Sequence, residues 1–387
     1  MMKFQNVKSF FARVLRSEEE NFVSTLIGQS REALDTPVLL VDLDIMQRNI
    51  DRMTTTIIRE AGVGWRPHTK AMKTPALAKM CLKAGAHGIT CAKLGEAEIM
   101  AAAGIRDILV ANQIVGATKI ERLVTVCNQA DVMVCVDDIQ NVKAIDEAAR
   151  DKGVRPRVLI EVNVGMDRAG VLPGGPALEL AKQIAQLQNV RFAGLQTWES
   201  HVLGATDVAE KERMVTESLK TLTDTAEAVR KAGIRVEIVS CGGTGTYWIS
   251  AFASGITEIE AGGGIYCDVA YRHSYGVDHE YALTLLSTVT SRPTPTRIIC
   301  DAGFKTLSGH HGDPQPLDCG EIDEYVLSAE HGIIKLHQPG KSPRVGDKIE
   351  IIPGYSDSTV FLHNVLYGIR ARRVEAVWPL LGRGKLQ

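Results

Sequence analysis

A lysine suited to nucleophilic chemistry ends the segment Arg66–Lys70 (RPHTK), which closes a short run predicted to form a buried strand. An amine at such a strand end loses hydration, which lowers its pKa and leaves more of it unprotonated and nucleophilic. Lys70 is therefore a candidate for forming a Schiff base with a carbonyl compound. A solvated surface lysine is the alternative, so the interpretation depends on the residues that accompany Lys70.

Two glycine-rich segments follow the last two predicted strands of the same region. They are Cys241–Thr246 (CGGTGT) and Ala261–Gly264 (AGGG). Glycine lets backbone N–H groups approach an anion, and loops of this kind bind phosphate groups. Tight turns without a ligand are the alternative, but two such loops at neighbouring strand ends favour a phosphate site.

Two further strand ends carry polar side chains suited to holding an anion or to moving a proton. Asn163–Gly170 (NVGMDRAG) contains Arg168, whose guanidinium can hold an anionic oxygen. Gln196–His201 (QTWESH) ends in His201, and a histidine at this place can carry a proton near neutral pH. A structural histidine with satisfied hydrogen bonds is equally compatible with the sequence.

The elements that must position these residues alternate between strands and helices from about residue 60 to 265. The alternation predicts parallel strands, because each crossover between parallel neighbours needs a helix. Eight units in about 200 residues predict an α/β fold with a (β/α)8 barrel, whose functional residues lie at the C-terminal ends of the strands. A doubly wound open sheet is the alternative, but Arg66–Lys70 is not the glycine-rich fingerprint expected after its first strand. The predicted strands are Val63–His68, Gly88–Lys93, Asp107–Asn112, Asp131–Val136, Arg157–Val164, Arg191–Trp198, Arg235–Cys241 and Thr257–Gly262.

After about residue 280 the strand-like runs follow one another without long helices, and glycine and proline turns separate them. This pattern predicts a C-terminal, mostly antiparallel β-domain. We predict a barrel over residues 45–275 and a β-domain over residues 1–44 and 276–387. The early run Val38–Leu43 is expected to join the β-domain, and Phe10–Leu15 to form an amphipathic helix in an N-terminal extension. The later predicted strands are Tyr281–Thr290, Thr296–Asp301, Glu324–Leu327, Gly332–Leu336 and Lys348–Ile352.

The composition indicates a small-molecule enzyme. The chain has 387 residues and a formal net charge of −2, with acidic and basic residues interspersed, so nucleic-acid binding is not expected. No apolar run approaches the ~20 residues of a membrane span, and no signal-peptide core is present, so no membrane association is expected. None of the 8 cysteines forms a C-x-x-C pair, which predicts free thiols in a reducing compartment, the cytoplasm.

Taken in order, these segments resemble the fold-type III enzymes that use pyridoxal 5′-phosphate (PLP), specifically the D-threonine aldolase and D-serine dehydratase-like branch. The similarity covers roughly residues 36 to 375. Each motif alone is weak evidence for the family, but all of them occur in this chain in the same sequence order as in the family. The motifs are Arg66–Lys70, Gly165–Gly170, Gly194–His201, Ser240–Thr246, Glu258–Gly262, Asp301–Lys305 and Glu330–Gly332.

The resemblance implies a function and a set of site residues. Lys70, rather than Lys73, would form the Schiff base with the cofactor, and His201 would remove the β-hydroxyl proton of a small amino-acid substrate. The implied enzyme is a homodimeric lyase that cleaves D-β-hydroxy-α-amino acids to glycine and an aldehyde. A dehydratase of D-serine or 3-hydroxy-D-aspartate is the alternative within the family. The other implied cofactor-binding residues are Arg168, Gln196, Trp198, Gly243, Thr244, Gly245, Gly262 and Gly263.

The chain departs from this family near its C-terminus. Family members carry Pro-x-His-x-Cys or Pro-x-His-x-Asp and bind a divalent metal there, whereas this chain reads Pro353–Thr359 (PGYSDST). Asp357 remains a good oxygen donor, but Tyr355 is a poor ligand for Mg, Mn or Zn. Either a metal binds weakly through Asp357 and Tyr355, or the Tyr355 phenol replaces the metal with a hydrogen bond. A catalytic Tyr355 would favour an amino-acid racemase, and a PLP-binding protein without turnover is the remaining alternative.

Overall fold

The structure, a computed structural model, describes residues 25–387. The helix predicted at Phe10–Leu15 lies outside this range. The first strand, β1 (Val38–Asp42), is followed by eight parallel strands with apolar, mostly buried side chains. These eight strands lie in the order β2-β9-β8-β7-β6-β5-β4-β3, and a parallel bridge between His68 and Thr90 joins the two ends of the row. They are β2 (Gly64–Trp65), β3 (Ile89–Cys91), β4 (Asp107–Gln113), β5 (Asp131–Val136), β6 (Arg157–Glu161), β7 (Arg191–Gln196), β8 (Ile238–Cys241) and β9 (Glu258–Ile259).

The predicted barrel is confirmed, and the open-sheet alternative is wrong. The first barrel strand is shorter than predicted, because Pro67 has no N–H to donate and the ladder beyond Trp65 continues only through single hydrogen bonds. The chain closes the ring there instead, with Thr69 N–H donating to Thr90 O over 2.7 Å. This closure brings the segment that carries Lys70 to the rim formed by the other strand ends.

Helices cover the outside of the barrel, and capping residues mark where they begin and end. In the helix Ile139–Lys152 the Asp138 side chain accepts from Asn141 N–H at the start, and Gly153 ends the helix in the left-handed conformation. No helix within residues 25–387 combines the length and apolar character needed to cross a membrane. The α-helices are α1 (Leu43–Thr54), α2 (Pro75–Lys83), α3 (Leu94–Ala102), α4 (Ala117–Val126), α5 (Ile139–Lys152), α6 (Gly175–Ile184), α7 (Val208–Lys231), α8 (Tyr247–Ser250) and α9 (Ser356–Val360). Short 3-10 turns span Arg31–Ala33, Ser200–Gly204 and Gly263–Ile265, and π-turns span Thr55–Glu60 and Ala270–Ser274.

The second sheet has nine strands and is antiparallel apart from the pairing of β1 with β16 (Val365–Arg370). The mostly antiparallel β-domain is therefore confirmed, and the run at Val38 joins it as predicted. Three strands were not predicted from the sequence: β12 (Gln315–Pro316), β16 and β17 (Arg373–Pro379). The exact domain limits of 45–275 and 276–387 stay a prediction. The remaining strands are β10 (Leu283–Thr294), β11 (Arg297–Cys300), β12 (Gln315–Pro316), β13 (Ile322–Leu327), β14 (Gly332–Leu336), β15 (Lys348–Ile352), β16 (Val365–Arg370) and β17 (Arg373–Pro379).

A buried carboxylate joins the two domains beside the barrel rim. Asp268 follows the last barrel strand, and its Oδ2 accepts from both the backbone N–H and the hydroxyl of Ser356, at 2.7 Å each. Its Oδ1 accepts from Tyr271 N–H at 2.8 Å. Since Ser356 begins α9, these bonds fix the neighbouring Tyr355 and Asp357 over the barrel mouth.

An ionic network fills the opposite, amino-terminal end of the barrel. Arg66 is 1% exposed and donates to Glu258 over 2.9 Å and to Asp107 over 2.7 Å, while His87 contacts the second oxygen of Glu258. Although burial acts to raise the pKa of Glu258, its ion pair with Arg66 and its hydrogen bond with His87 lower that pKa to about 2. The stabilisation from Glu258 is thus complete above its ordinary pKa and is lost as the pH falls towards 2.

We predict that Arg66→Met reduces the free energy of unfolding by about 3–5 kcal/mol, because it leaves the buried Glu258 carboxylate without its cation. Urea unfolding at pH 7 measures the loss. Arg48→Gln is the matched control, because Arg48 pairs with Glu280 on the exposed surface and its loss leaves the midpoint unchanged. Equal losses for the two variants would show that the network does not hold the barrel together.

Candidate active site

A cavity of about 710 Å³ opens at the carboxyl ends of the barrel strands, as expected for a barrel enzyme. Two β-domain side chains, His311 and Tyr355, line it from above. The structure brings nearly all of the predicted site residues to this one cavity. Those that line it are Lys70, Arg168, Gln196, Trp198, Gly243, Thr244, Gly245, Gly262, Gly263 and Tyr355.

The Lys70 amine is held by a carboxylate from the other domain. Its Nζ lies 3.0 Å from Asp357 Oδ2, and its side chain is 39% exposed, towards the cavity. The Tyr355 hydroxyl donates to the same Asp357 oxygen over 3.0 Å. The amine is therefore accessible to a ligand while its position is fixed by a charge partner.

His68 is a cavity residue that the sequence did not single out, although it stands two positions before Lys70. Burial, together with the positive charges of Lys70 and Lys73, lowers its pKa well below the usual 6.5, so the ring is neutral at pH 7. Its Nδ1 accepts from the Lys70 backbone N–H at 3.3 Å, which places the single ring proton on Nε2. His68 therefore offers the cavity a hydrogen-bond donor, not a base.

Two glycine loops form a cradle beside Lys70: the first glycine loop (Gly242–Thr246) and the second glycine loop (Ala261–Gly264). A Cβ on Gly262 would overlap the backbone of His68, and one on Gly243 would overlap the Trp198 ring. Within residues 25–387, the backbone N–H groups of Thr244, Gly245 and Gly263 have no acceptor. Free N–H groups on a glycine cradle are the donors that a phosphate needs, so the loops fit one.

A buried glutamate that the sequence did not reveal holds the first glycine loop in shape. Glu199 is 0% exposed and accepts from the hydroxyls of Thr246 and Ser250, at 2.8 Å each, and from Gly242 N–H at 3.2 Å. The two loops are joined by Gly264 N–H, which donates to the Thr244 hydroxyl over 3.0 Å. No local pattern marks Glu199, because its partners lie more than 40 residues away in the sequence.

Arg168, Gln196 and Trp198 reach the cavity as predicted, each with a partner. Arg168 is half-exposed, and its guanidinium lies 3.3 Å from Glu161. Gln196 is buried and donates to Glu260 over 3.1 Å, while the Trp198 ring lies against Gly243. Arg168 thus retains free donors towards the cavity, where an anionic oxygen can bind.

The structure does not bring His201 to this cavity. The 3-10 turn Ser200–Gly204 directs Ser200 and Leu203 inwards, whereas His201 is exposed and its Nε2 lies 3.3 Å from the Ser218 hydroxyl on α7. A role for His201 as the proton carrier would require this turn to move.

The donors at Tyr355 and Asp357 fit a divalent metal poorly. Asp357 Oδ1 is buried without a hydrogen-bond partner and could serve as a ligand. However, burial and the Asp357 charge raise the pKa of Tyr355, so its phenol keeps the proton that it donates to Asp357. Residues 25–387 contain no group of three histidine, cysteine, aspartate or glutamate side chains that could hold a metal. The metal assignment to Tyr355 and Asp357 stays a prediction.

Comparisons with known proteins agree with this arrangement. Residues 41–269 match the family model "Alanine racemase, N-terminal domain", and residues 282–369 match "Putative serine dehydratase domain". The chain is 32% identical to a D-threonine aldolase of Arthrobacter sp over 364 residues, which cover 92% of this chain and 95% of that protein. It is 30% identical to a 3-hydroxy-D-aspartate aldolase of Paracoccus denitrificans (strain Pd 1222) over 373 residues, 94% of this chain and 96% of the relative.

Solved structures give the same relationship. The D-threonine aldolase from Filomicrobium marinum superposes with a TM-score of 0.90 at 33% identity, covering 93% of this chain and 99% of that chain. The D-threo-3-hydroxyaspartate dehydratase from Delftia sp. HT23 superposes with a TM-score of 0.81 at 26% identity, and the match covers 91% of this chain and 99% of that chain. The amine at Lys70, the glycine cradle beside it and these relatives lead to one conclusion: the chain belongs to the D-threonine aldolase and D-serine dehydratase-like family of alanine racemase-like, PLP-dependent enzymes.

Proposed function

We propose that this enzyme is a lyase that cleaves D-β-hydroxy-α-amino acids into glycine and an aldehyde, with PLP bound to Lys70. The single observation that carries the proposal is the Lys70–Asp357–Tyr355 contact beside the glycine cradle. It combines a reactive amine with a carboxylate and a phenol that can accept and pass on a proton. The aldolase relatives, at 30–32% identity over almost the whole chain, support this reaction class.

Residues of the chain would hold the cofactor at three places. Lys70 would bind its aldehyde carbon, the first glycine loop would receive its phosphate, and the Arg168 guanidinium would hold its ring hydroxyl oxygen. When bound, PLP accepts the electron pair that remains on Cα after the Cα–Cβ bond breaks. The neutral His68, which lines the same cavity, would offer its Nε2 proton as a hydrogen-bond donor to the bound cofactor.

Cleavage requires removal of the proton from the substrate β-hydroxyl. Asp357 Oδ2 already accepts a hydrogen bond from the Tyr355 hydroxyl, so the phenol can pass its proton to Asp357 while it takes the substrate proton. The oxygen pair then forms the aldehyde C=O bond, and the Cα–Cβ pair stays on Cα. Return of a proton from the Tyr355–Asp357 pair to Cα gives glycine and restores the starting protonation of the pair.

Two alternative reactions, dehydration and racemisation, would use the same residues but give different products. A dehydratase would remove the α-proton and expel the β-hydroxyl, and a D-threo-3-hydroxyaspartate dehydratase of Delftia sp. (strain HT23) is 30% identical to this chain over 356 residues. A racemase would use Tyr355 at Cα, but the solved alanine racemase of Clostridium difficile 630 is 14% identical and supports the fold alone. A PLP-binding protein without turnover would not need the Tyr355–Asp357 pair.

We also propose a reducing, cytoplasmic location. All eight cysteines are free, and seven of them are buried, so oxidising conditions are not needed for the fold. The homodimer implied by the family resemblance stays a prediction.

Lys70→Ala is expected to abolish the visible absorption band of the lysine-bound cofactor and to reduce turnover by at least about 1000-fold, because the amine is the covalent anchor. Spectroscopy and peptide mass mapping after borohydride reduction measure both the band and the modified residue. Lys79→Ala, on the exposed face of α2, is the matched control and keeps the band. A borohydride-stable adduct that remains in Lys70→Ala would contradict the assignment of the anchor.

A panel of D-threonine, D-phenylserine and D-serine is expected to give glycine and an aldehyde from the first two amino acids. Amino-acid analysis and an aldehyde-reducing coupled assay measure the products. Keto acid and ammonia would establish the dehydratase, and formation of the opposite enantiomer would establish the racemase.

The rate of aldehyde formation is expected to be unchanged after dialysis of the enzyme against EDTA, since the donors at Tyr355 and Asp357 fit a metal poorly.

Tyr355→Phe and His201→Ala separate the two candidates for the proton carrier. Loss of the phenol is expected to lower kcat by roughly 100-fold with little change in cofactor affinity. Loss of His201, which lies outside the cavity, is expected to lower kcat by less than about threefold. Stopped-flow measurement of single turnover compares the variants. The reverse ranking would assign proton transfer to His201 and imply closure of the 200–204 turn.

A further inference from the structure

Four aromatic side chains form one continuous side of the cavity. Tyr275, Tyr271, Tyr355 and His311 contact one another in that order, with ring centroids 5.9, 5.8 and 5.5 Å apart, and all four line the cavity. These separations are those of attractive aromatic pairs. The chain has 8 tyrosines, and three of them stand in this row. We call the four residues the aromatic wall; the proposed reaction uses Tyr355 alone among them.

The aromatic wall runs from the glycine cradle to the mouth of the cavity. Its inner end is buried, because Tyr271 is 6% exposed and a Cβ on Gly263 would overlap the Tyr271 hydroxyl. Tyr355 is half-buried in the middle, and His311 is exposed at the outer end. A phosphate on the cradle would therefore lie beside Tyr271, whereas the His311 ring remains open to another part of a ligand.

Backbone contacts between three segments hold the aromatic wall in place. Gly354 O accepts from Ala270 N–H over 2.9 Å, and each of these residues directly precedes a tyrosine of the wall. Gly312, which follows His311, has a φ of +73°, and a Cβ there would lie 3.0 Å from the same Gly354 oxygen. Glycine thus lets the loop that carries His311 pack closely on the segment before Tyr355. The rings hold these positions before a ligand binds.

The proposed reaction brings Cβ of the substrate to the middle of the aromatic wall. The Tyr355 hydroxyl removes the proton of the β-hydroxyl, so Cβ lies one oxygen atom away from that phenol. The remaining substituent on Cβ must then lie along the neighbouring rings. Tyr271 faces the cradle, whereas His311 has an open ring, so the substituent extends over Tyr355 towards His311.

The charges on this side of the cavity disfavour an anionic substituent. The Tyr355 hydroxyl donates to Asp357, and the Lys70 amine beside them is already paired with that carboxylate. Within residues 25–387, no lysine or arginine lies over a ring of the aromatic wall. A carboxylate placed there would face Asp357 without a cation of its own. A protonated His311 would reverse this ranking, and the test below includes an anionic ligand for that reason.

We propose that the aromatic wall binds the β-substituent of the substrate and that His311 selects an aryl group over a methyl group or a carboxylate. The inference rests on the proposed function and names its preferred substrates: D-β-hydroxy-α-amino acids with an aromatic ring on Cβ. Such a ring can contact both Tyr355 and His311 in the tilted or edge-to-face arrangements that the wall itself shows, whereas a methyl group offers a single carbon.

The test uses three amino acids that lack the β-hydroxyl and so cannot undergo the cleavage. D-phenylalanine, D-2-aminobutyrate and D-aspartate carry a phenyl, a methyl and a carboxylate group on Cβ. Absorbance titration of the PLP-loaded enzyme measures their dissociation constants. D-phenylalanine is expected to bind at least about 10-fold more tightly than D-2-aminobutyrate, because it buries more apolar surface, and D-aspartate is expected to bind most weakly. Tightest binding of D-aspartate would make His311 an anion site and overturn the proposal.

His311→Asn removes the ring and suits the backbone, because His311 has a φ of +58° and asparagine tolerates this left-handed conformation. The variant is expected to bind D-phenylalanine about 3- to 10-fold more weakly and D-2-aminobutyrate less than about twofold more weakly, since one aromatic contact is lost. His337→Asn is the matched control, because His337 is exposed, pairs with Asp323 and does not line the cavity. Equal weakening of the phenyl and methyl ligands in His311→Asn would assign His311 to the shape of the loop and contradict selection by its ring.

The outcomes also separate this inference from the proposed function. An unchanged affinity for D-phenylalanine in His311→Asn overturns the role of His311, while PLP at Lys70 and the cleavage reaction stand. The expected affinities in a protein that cleaves no D-β-hydroxy amino acid keep the aromatic wall as a side-chain site and remove only the reaction. Wild-type protein that binds no PLP overturns both.

Discussion

A ring of parallel strands has all of its carboxyl ends at one rim, and this constraint governs the rest of the molecule. Lys70, Arg168 and the two glycine loops are separated by up to about 190 residues in sequence, yet each follows a barrel strand, so closure of the ring places them around one cavity. The closure itself depends on the contact between His68 and Thr90, directly beside Lys70. The position of the reactive amine and the integrity of the barrel are therefore set by the same hydrogen bonds.

The β-domain completes the cavity by adding the groups that a barrel rim alone lacks. Asp268 binds Ser356 through two hydrogen bonds, and this attachment fixes Tyr355 and Asp357 above the amine. Asp268 is almost fully buried, and burial raises its pKa to about 7, so the joint between the domains carries only part of its negative charge at neutral pH.

Charge compensation distinguishes the structural acids from the acids of the site. Glu258 is compensated by Arg66, and Glu199 is satisfied by two hydroxyls and a backbone N–H, so both hold the scaffold in place. Within residues 25–387, the bonds to Glu260 reach only its Oε1, and Asp357 Oδ1 has no hydrogen-bond partner. Buried polar atoms without a protein partner indicate where a ligand can supply one.

The sequence by itself determined the features whose signals are local. Strand–helix alternation determined the barrel. A lysine at a strand end and two glycine runs at neighbouring strand ends predicted the anchor and the cradle, because in each case a short segment carries both the element and the reactive or flexible residue. The segment at 353–359 likewise showed that tyrosine stands where the family has a histidine.

Only the tertiary structure decided which side chains face the cavity and which charges lack a partner. His201 has the right residue type at the right strand end, but a 3-10 turn directs it outwards, and no sequence period specifies that rotation. Glu260 and Glu258 are alternate residues of one strand end with the same chemistry, yet the first is uncompensated and the second paired with Arg66. The difference arises from residues distant in the chain, because burial and charge pairing are properties of the folded neighbourhood.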